Sequence, residues 1–179
     1  MSPDPAATSA SGRVVDGPDG PVRGPCERGI FRFLGIPYAA PPVGELRLRS
    51  PRPAARWTEV RDAATPAPAS LQTLGGNQVW MNEPIARQSE DCLYLNVWTP
   101  DPDASLPVLF WLHGGQTRNG HGAAPGINGE ALARLGLVVV TVNYRLGGLG
   151  GLAHEALADD STGTCANWGL QDKLAALAW

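Results

Sequence analysis

Two short, almost wholly apolar runs constrain this chain more than any other feature: Leu106–Leu112 (LPVLFWL) and Leu137–Val142 (LVVVTV). A strand with next to no polar positions has no face to give to water, so such runs belong to sheets covered on both sides. The second run is dominated by β-branched residues, which favour strands. Both fall far short of the ~20 residues needed to cross a membrane. Between them, Glu130–Leu135 reads as a helix and Gly136 as its C-cap. Apolar strands alternating with helices define an α/β fold with parallel pairing.

The flanking sequence is less regular. Val14-Val15 leads into Gly17-Pro18-Asp19-Gly20, a strong turn signal. Ile30–Leu34 alternates apolar and polar, as a half-buried strand does. Gly35–Pro42 reads as extended, irregular chain, because its prolines remove donors and fix φ. Residues 43–89 read as a long surface excursion with little regular structure, a length of loop usually kept for function. Order resumes at Asp91–Trp98. Near the end, Asn167 is a candidate cap for a helix that places Leu170, Leu174, Leu177 and Ala178 on one face. Residues 1–12 read as a disordered lead-in and 13–179 as one domain-forming stretch.

Composition excludes some partners. The 179 residues carry a formal net charge of −3, too small to recruit nucleic acid or an anionic membrane. Residues 1–12 lack the basic start and apolar core of a secretion signal, and the expected location is cytoplasmic. Cys26, Cys92 and Cys165 are too few and too scattered for a disulfide framework or a zinc pattern, so no metal and no cofactor is expected. His121 and His154 lie in small-residue loops and read as solvated.

Five stretches then occur in order: Phe33-Leu-Gly-Ile-Pro-Tyr-Ala39 with Pro41-Pro-Val-Gly44; Ser89-Glu-Asp-Cys-Leu-Tyr-Leu-Asn96; Trp111-Leu-His-Gly-Gly115; Val139-Val-Thr-Val-Asn-Tyr-Arg-Leu-Gly147; and Asn167-Trp-Gly-Leu-Gln-Asp172. Together they resemble the type-B carboxylesterase/lipase family, which includes the cholinesterases. The resemblance spans residues 13–179 and implies the N-terminal part of an α/β-hydrolase fold, with only the first part of its sheet.

The resemblance also implies roles. The turn at Gly114, Gly115 and Gln116 would supply backbone N–H groups to an oxyanion hole, where one donor is worth about 3–4 kcal/mol in the transition state. The family usually has a small residue where Gln116 stands and an aromatic where Thr117 stands, so Gln116 is expected to crowd the pocket and resist the required dihedral. His113 would orient backbone rather than carry protons. Glu90 would pair with Arg47, and Arg145 with Asp172, as structural ion pairs rather than acid–base catalysts. Cys92 aligns with a cysteine that closes a loop disulfide in secreted relatives. Its partner position is Ser70, so the bridge is expected to be absent. Trp80 lies where some relatives place a gorge aromatic.

No G-x-S-x-G pentapeptide occurs in the 179 residues, and in the family the serine follows the helix that begins near Asn167. The implied activity is carboxylic ester hydrolysis through an acyl-enzyme, acting on a small-molecule ester in the full-length enzyme. The chain alone is expected to be inactive, a truncated product with a bare apolar edge at Leu137–Val142 and marginal stability. Two alternatives are a non-catalytic, cholinesterase-like binding protein and a degenerate pseudo-enzyme, the latter suggested by Gln116, Thr117 and Gly151.

Overall fold

The computed structural model describes residues 12–73, 87–158 and 163–179. The strands run in order β1 (Arg13–Gly17), β2 (Gly20–Gly24), β3 (Cys26–Glu27), β4 (Ile30–Pro37), β5 (Arg61–Asp62), β6 (Ala69–Ser70), β7 (Gln88–Ser89), β8 (Tyr94–Thr99), β9 (Val108–Leu112) and β10 (Val138–Val142). Three α-helices follow the later strands: α1 (Glu130–Ala133), α2 (Gly147–Gly151) and α3 (Trp168–Ala178).

The main sheet has the order β3-β4-β8-β10-β9. It is antiparallel from β3 through β10, and its last pair, β10 with β9, is parallel, with Val138 opposite Val108 and Val142 opposite Leu112. The connection between these two strands carries α1, as a parallel crossover requires. A small sheet of β1, β2 and β5 sits beside it, its hairpin turning where Gly17 faces Gly20. β6 and β7 form a separate two-stranded pair.

Side chains alternate between the two faces of the sheet, and the core divides accordingly. On one face Phe33, Ile36, Leu95, Val140 and Val142 join Ala176 of α3, with Trp179 packed against them. On the other, Ile30, Leu34, Trp98 and Val139 surround Ala133 of α1. β10 is covered on both sides, and its last four residues are all buried.

Several expectations need correction. The bare edge is β9, not Leu137–Val142: β10 is hydrogen-bonded on both sides, because the chain returns from α1 to a place between β8 and β9. Val108, Trp111 and Leu112 remain 63%, 44% and 43% exposed despite the apolar run. β4 continues through Gly35 to Pro37, with a bulge between Phe33 and Ile36. Gly35 makes that bulge at φ +71°, where an added Cβ would stand 2.8 Å from the Thr65 carbonyl oxygen. The excursion over 43–89 is also more than surface. It contributes β5, β6, β7 and a 3₁₀ turn at Gly44–Leu46, and it buries Ser50, Ala63, Ala69 and Ser70.

α3 turns the expected leucine stripe outward: Leu170, Leu174 and Leu177 are exposed, and Trp168, Gly169, Asp172 and Ala176 are buried. The cause is polar and steric. Asp172 has to face Arg145, and a Cβ on Gly169 would lie 2.5 Å from the Arg145 carbonyl oxygen, so this side of the helix must approach the Arg145 backbone. Asn167 stands at the N-cap position, but in a left-handed conformation (φ 61°) with no side-chain cap hydrogen bond. Its carbonyl accepts from the Leu170 and Gln171 amides.

Candidate active site

The turn that leaves β9 lies at the carboxyl end of the parallel β9–β10 pair, where open α/β sheets place their ligands. His113 anchors it. The ring is buried and stacks on Tyr144 with centroids 4.2 Å apart and planes 8° from parallel. The Tyr144 hydroxyl donates to the His113 carbonyl at 2.6 Å. The His113 Nδ1 lies 2.9 Å from the Gly114 carbonyl oxygen. That oxygen can only accept, so the proton sits on Nδ1. Burial pushes the ring down to about 4, partly offset by this hydrogen bond, so it is neutral at pH 7. The Lys173 Nζ covers the Tyr144 ring at 4.1 Å, making a three-layer stack of imidazole, phenol and ammonium.

Beyond the stack, three consecutive residues have positive φ: Gly115 at 115°, Gln116 at 55° and Thr117 at 57°. Gly115 has no room for a side chain, since a Cβ would stand 2.0 Å from the Asn119 carbonyl oxygen. Gln116 reaches the left-handed dihedral that its side chain was expected to resist. Each non-glycine residue there costs about 1–2 kcal/mol. That strain persists because the surroundings fix the turn. The Gly115 carbonyl accepts from the Arg118 and Asn119 amides, and the Thr117 carbonyl accepts from the Gly147 amide at 2.8 Å.

Polar side chains hold the far end of the loop, Gln72 half-buried and Asn96, Thr141 and Asn143 buried. The Gln72 side chain clamps Gly120 from both sides: its Nε2 donates to the Gly120 carbonyl at 2.9 Å, and its Oε1 accepts from the Gly120 amide at 2.7 Å. Asn143 Oδ1 accepts from the Gly122 amide at 2.7 Å, while Asn96 Nδ2 and Thr141 Oγ1 both donate to the Gly122 carbonyl. Asn96 Oδ1 in turn accepts from the bulge amide of Gly35 at 3.0 Å. One network therefore ties the β4 bulge to the glycine loop through the middle of the sheet. None of these four side chains was singled out as functional from sequence. The signal for Asn96, Thr141 and Asn143 was a polar residue inside an otherwise apolar strand run.

The two expected ion pairs form. Arg145 donates to Asp172 through Nε at 2.9 Å and Nη2 at 2.7 Å, and its own amide adds a third bond at 3.0 Å. Burial pushes the Asp172 carboxyl up, against the pull of the Arg145 guanidinium. Arg47 reaches Glu90 through Nε at 2.5 Å and Nη2 at 2.8 Å, in a far more open setting. Asp91 accepts from the Tyr94 hydroxyl at 3.1 Å rather than joining Glu90.

All three cysteines are free thiols. Cys92 is fully buried, and burial pushes its thiol up to about 12, so it carries no thiolate at neutral pH. Cys26 is exposed. His121 is half-buried rather than solvated, and His154 is exposed, accepting from the Ala156 amide at 3.1 Å. Among the described residues, no group of three or more His, Cys, Asp or Glu is arranged to hold a metal ion, and no helix is long and apolar enough to cross a membrane. Trp80 lies outside the described residues. A cleft of about 840 Å³ opens on Gly115 and Gln116, lined also by Gln72, Gln88 and Leu146 to Leu149.

A mixed sheet with a parallel last pair, a crossover helix and a glycine turn at the carboxyl end defines an α/β-hydrolase, of which these residues form the first strands. Residues 11–179 match the model of the carboxylesterase family. The chain is 47% identical over 156 residues to the fumonisin B1 esterase of Sphingopyxis macrogoltabida, covering 86% of this chain and 28% of that protein. It is 42% identical over 178 residues to the para-nitrobenzyl esterase of Bacillus subtilis, covering 93% and 34%. A PNB esterase structure superposes with a TM-score of 0.84 at 38% identity, over 94% of this chain and 34% of that one. The chain therefore belongs to the carboxylesterase family, and it spans about a third of the length of the relatives it matches.

Proposed function

We propose that this chain supplies the oxyanion-stabilising part of a serine carboxylesterase acting on small-molecule esters in the cytoplasm. The observation that carries the reading is the succession of positive dihedrals at Gly115, Gln116 and Thr117, at the mouth of the cleft. Such a succession turns adjacent amides toward one side, a concavity suited to an anion. The Gly115 and Gln116 amides would meet the carbonyl oxygen as it becomes an oxyanion. A serine outside residues 1–179 would attack the carbonyl carbon, form the acyl-enzyme, and release the acid when water attacks in turn. His113 is neutral and already bonded to backbone, so it serves the turn and not proton transfer. Arg47–Glu90 and Arg145–Asp172 hold loops in place. That Gln116 takes a left-handed dihedral in line with its neighbours supports the enzyme over a degenerate relative.

Residues 1–179 alone should hydrolyse 4-nitrophenyl acetate at the background rate and take no label from a fluorophosphonate. Joined in frame to the remaining two-thirds of the Bacillus subtilis para-nitrobenzyl esterase, they should give a labelled, active esterase. In that chimera, Gly115→Ala keeps the amide but drives a Cβ into the Asn119 carbonyl, turning the donor out of line, and should lower kcat by about a hundredfold, as the loss of one aligned oxyanion donor does. Turnover by residues 1–179 alone, or indifference of a folded, active chimera to the Gly115 substitution, defeats the reading.

A further inference from the structure

The cleft at the glycine turn has a one-sided charge. Among its described lining residues, Arg118 is the single ionisable side chain; the polar remainder is amide and hydroxyl, from Gln72, Thr73, Gln88, Gln116 and Asn119. Among the described acids, Glu90 is engaged by Arg47, Asp91 by Tyr94, and Asp172 by Arg145 at full burial. Arg118 follows directly on the three positive-φ residues, and its amide is spent on the Gly115 carbonyl, which fixes the base of the side chain beside the turn. Its guanidinium makes no hydrogen bond or ion pair with the described residues. Arg118 is itself exposed, and a cleft lined by a single sign of charge gathers ligands of the opposite sign. A planar guanidinium also matches a carboxylate in two-point geometry, which a point charge does not.

We propose that Arg118 selects esters bearing a free carboxylate, such as half-esters of dicarboxylic acids. This inference rests on the cleft being the ester site. The guanidinium holds the carboxylate at one end, and the scissile carbonyl lies at the Gly115–Gln116 amides. Arg118 is a specificity-determining residue and takes no part in bond making or breaking.

Two experiments test it. The first needs no turnover. ¹⁵N-labelled residues 1–179 are titrated with monomethyl succinate and with dimethyl succinate, following the amides of Gly115, Gln116 and Arg118. The half-ester should bind about tenfold more tightly than the diester, the gain expected of one charge-assisted pair. Arg118→Ala should abolish the difference with spectral dispersion intact, and Arg118→Lys should keep part of it. Equal binding of the two ligands, or unchanged half-ester binding by Arg118→Ala, overturns the proposal. The second uses the active chimera. Here kcat/KM is compared for 4-nitrophenyl hemisuccinate, with its carboxylate on the acyl side, 4-carboxyphenyl acetate, with its carboxylate on the alcohol side, and neutral 4-nitrophenyl acetate. Preference for either anionic ester, lost in Arg118→Ala and reversed in Arg118→Glu, supports the proposal and identifies the side. Hydrolysis of all three with no response to Arg118 overturns it while leaving the esterase reading intact. Half-ester binding without any hydrolysis in the chimera supports the anion site and counts against the esterase reading instead.

Discussion

Arg145–Asp172 and Arg47–Glu90 have nearly the same geometry and opposite surroundings. Each is a two-point guanidinium–carboxylate contact that fastens a loop-borne charge to its partner. The first pair has side chains 2% and 0% exposed, the second 51% and 22%. Water already stabilises the exposed charges about as well as their partners do, and salt screens the attraction. The buried charges have no such alternative, and each exists only because the other does. Arg145 has further duties that Arg47 lacks: its Nη1 donates to the Arg49 carbonyl at 2.8 Å, and its own carbonyl leaves room only for glycine at 150 and 169. The lesson is that contact geometry does not set the value of an ion pair; the surroundings do.

The sharpest way to break this contrast is Asp172→Ala, which strands a buried guanidinium and should cost about 3–5 kcal/mol in urea denaturation. A loss no larger than that of Glu90→Ala would erase the distinction. Next comes the pH response of the buried imidazole at the turn. His113 is held at about 4 against its ordinary 6.5, so between those values the unfolded chain binds more protons. Stability then rises with pH: the contribution is complete above about pH 6.5 and drains away toward pH 4, amounting to about 3 kcal/mol at most. Urea midpoints at pH 7.5, 6 and 5 should show that slope, and His113→Gln should flatten it. A smaller effect tests the turn: Gln116→Gly should stabilise the chain by about 1 kcal/mol by removing left-handed strain. A loss of stability would mean that the Gln116 side chain contributes more than its backbone costs. Smallest of all, Glu90→Ala should leave the thermal midpoint nearly unmoved at physiological salt. Any loss seen at low salt should vanish as salt is added, whereas the Asp172→Ala loss should persist.

What could be read in advance follows the range of the interaction. The strands, the crossover helix closed by Gly136 (φ 88°) and the glycine turn are local patterns of polarity and backbone freedom, and all are visible in the residues themselves. Neighbours in a sheet are not local. Nothing in LVVVTV says that β10 slots between β8 and β9, so the bare edge was assigned to the wrong strand. The orientation of α3 failed for a similar reason. Its leucines make a regular apolar stripe, but Trp168, Asp172 and Ala176 make another with the same period, and Arg145 decides which one turns inward. The ion pairs came from family resemblance rather than from spacing. The hold of Gln72 on Gly120 joins residues 48 apart in sequence and could not be read from either segment alone.

The β9 edge has a geometric consequence. Its outer row of amides and carbonyls already runs parallel to β10. A strand continuing that parallel order cannot arrive by a tight hairpin. It must travel the length of the sheet first, over one face or the other. Right-handed crossover fixes which face, so the direction of Val108–Leu112 restricts both where a new neighbour can land and the route by which it gets there.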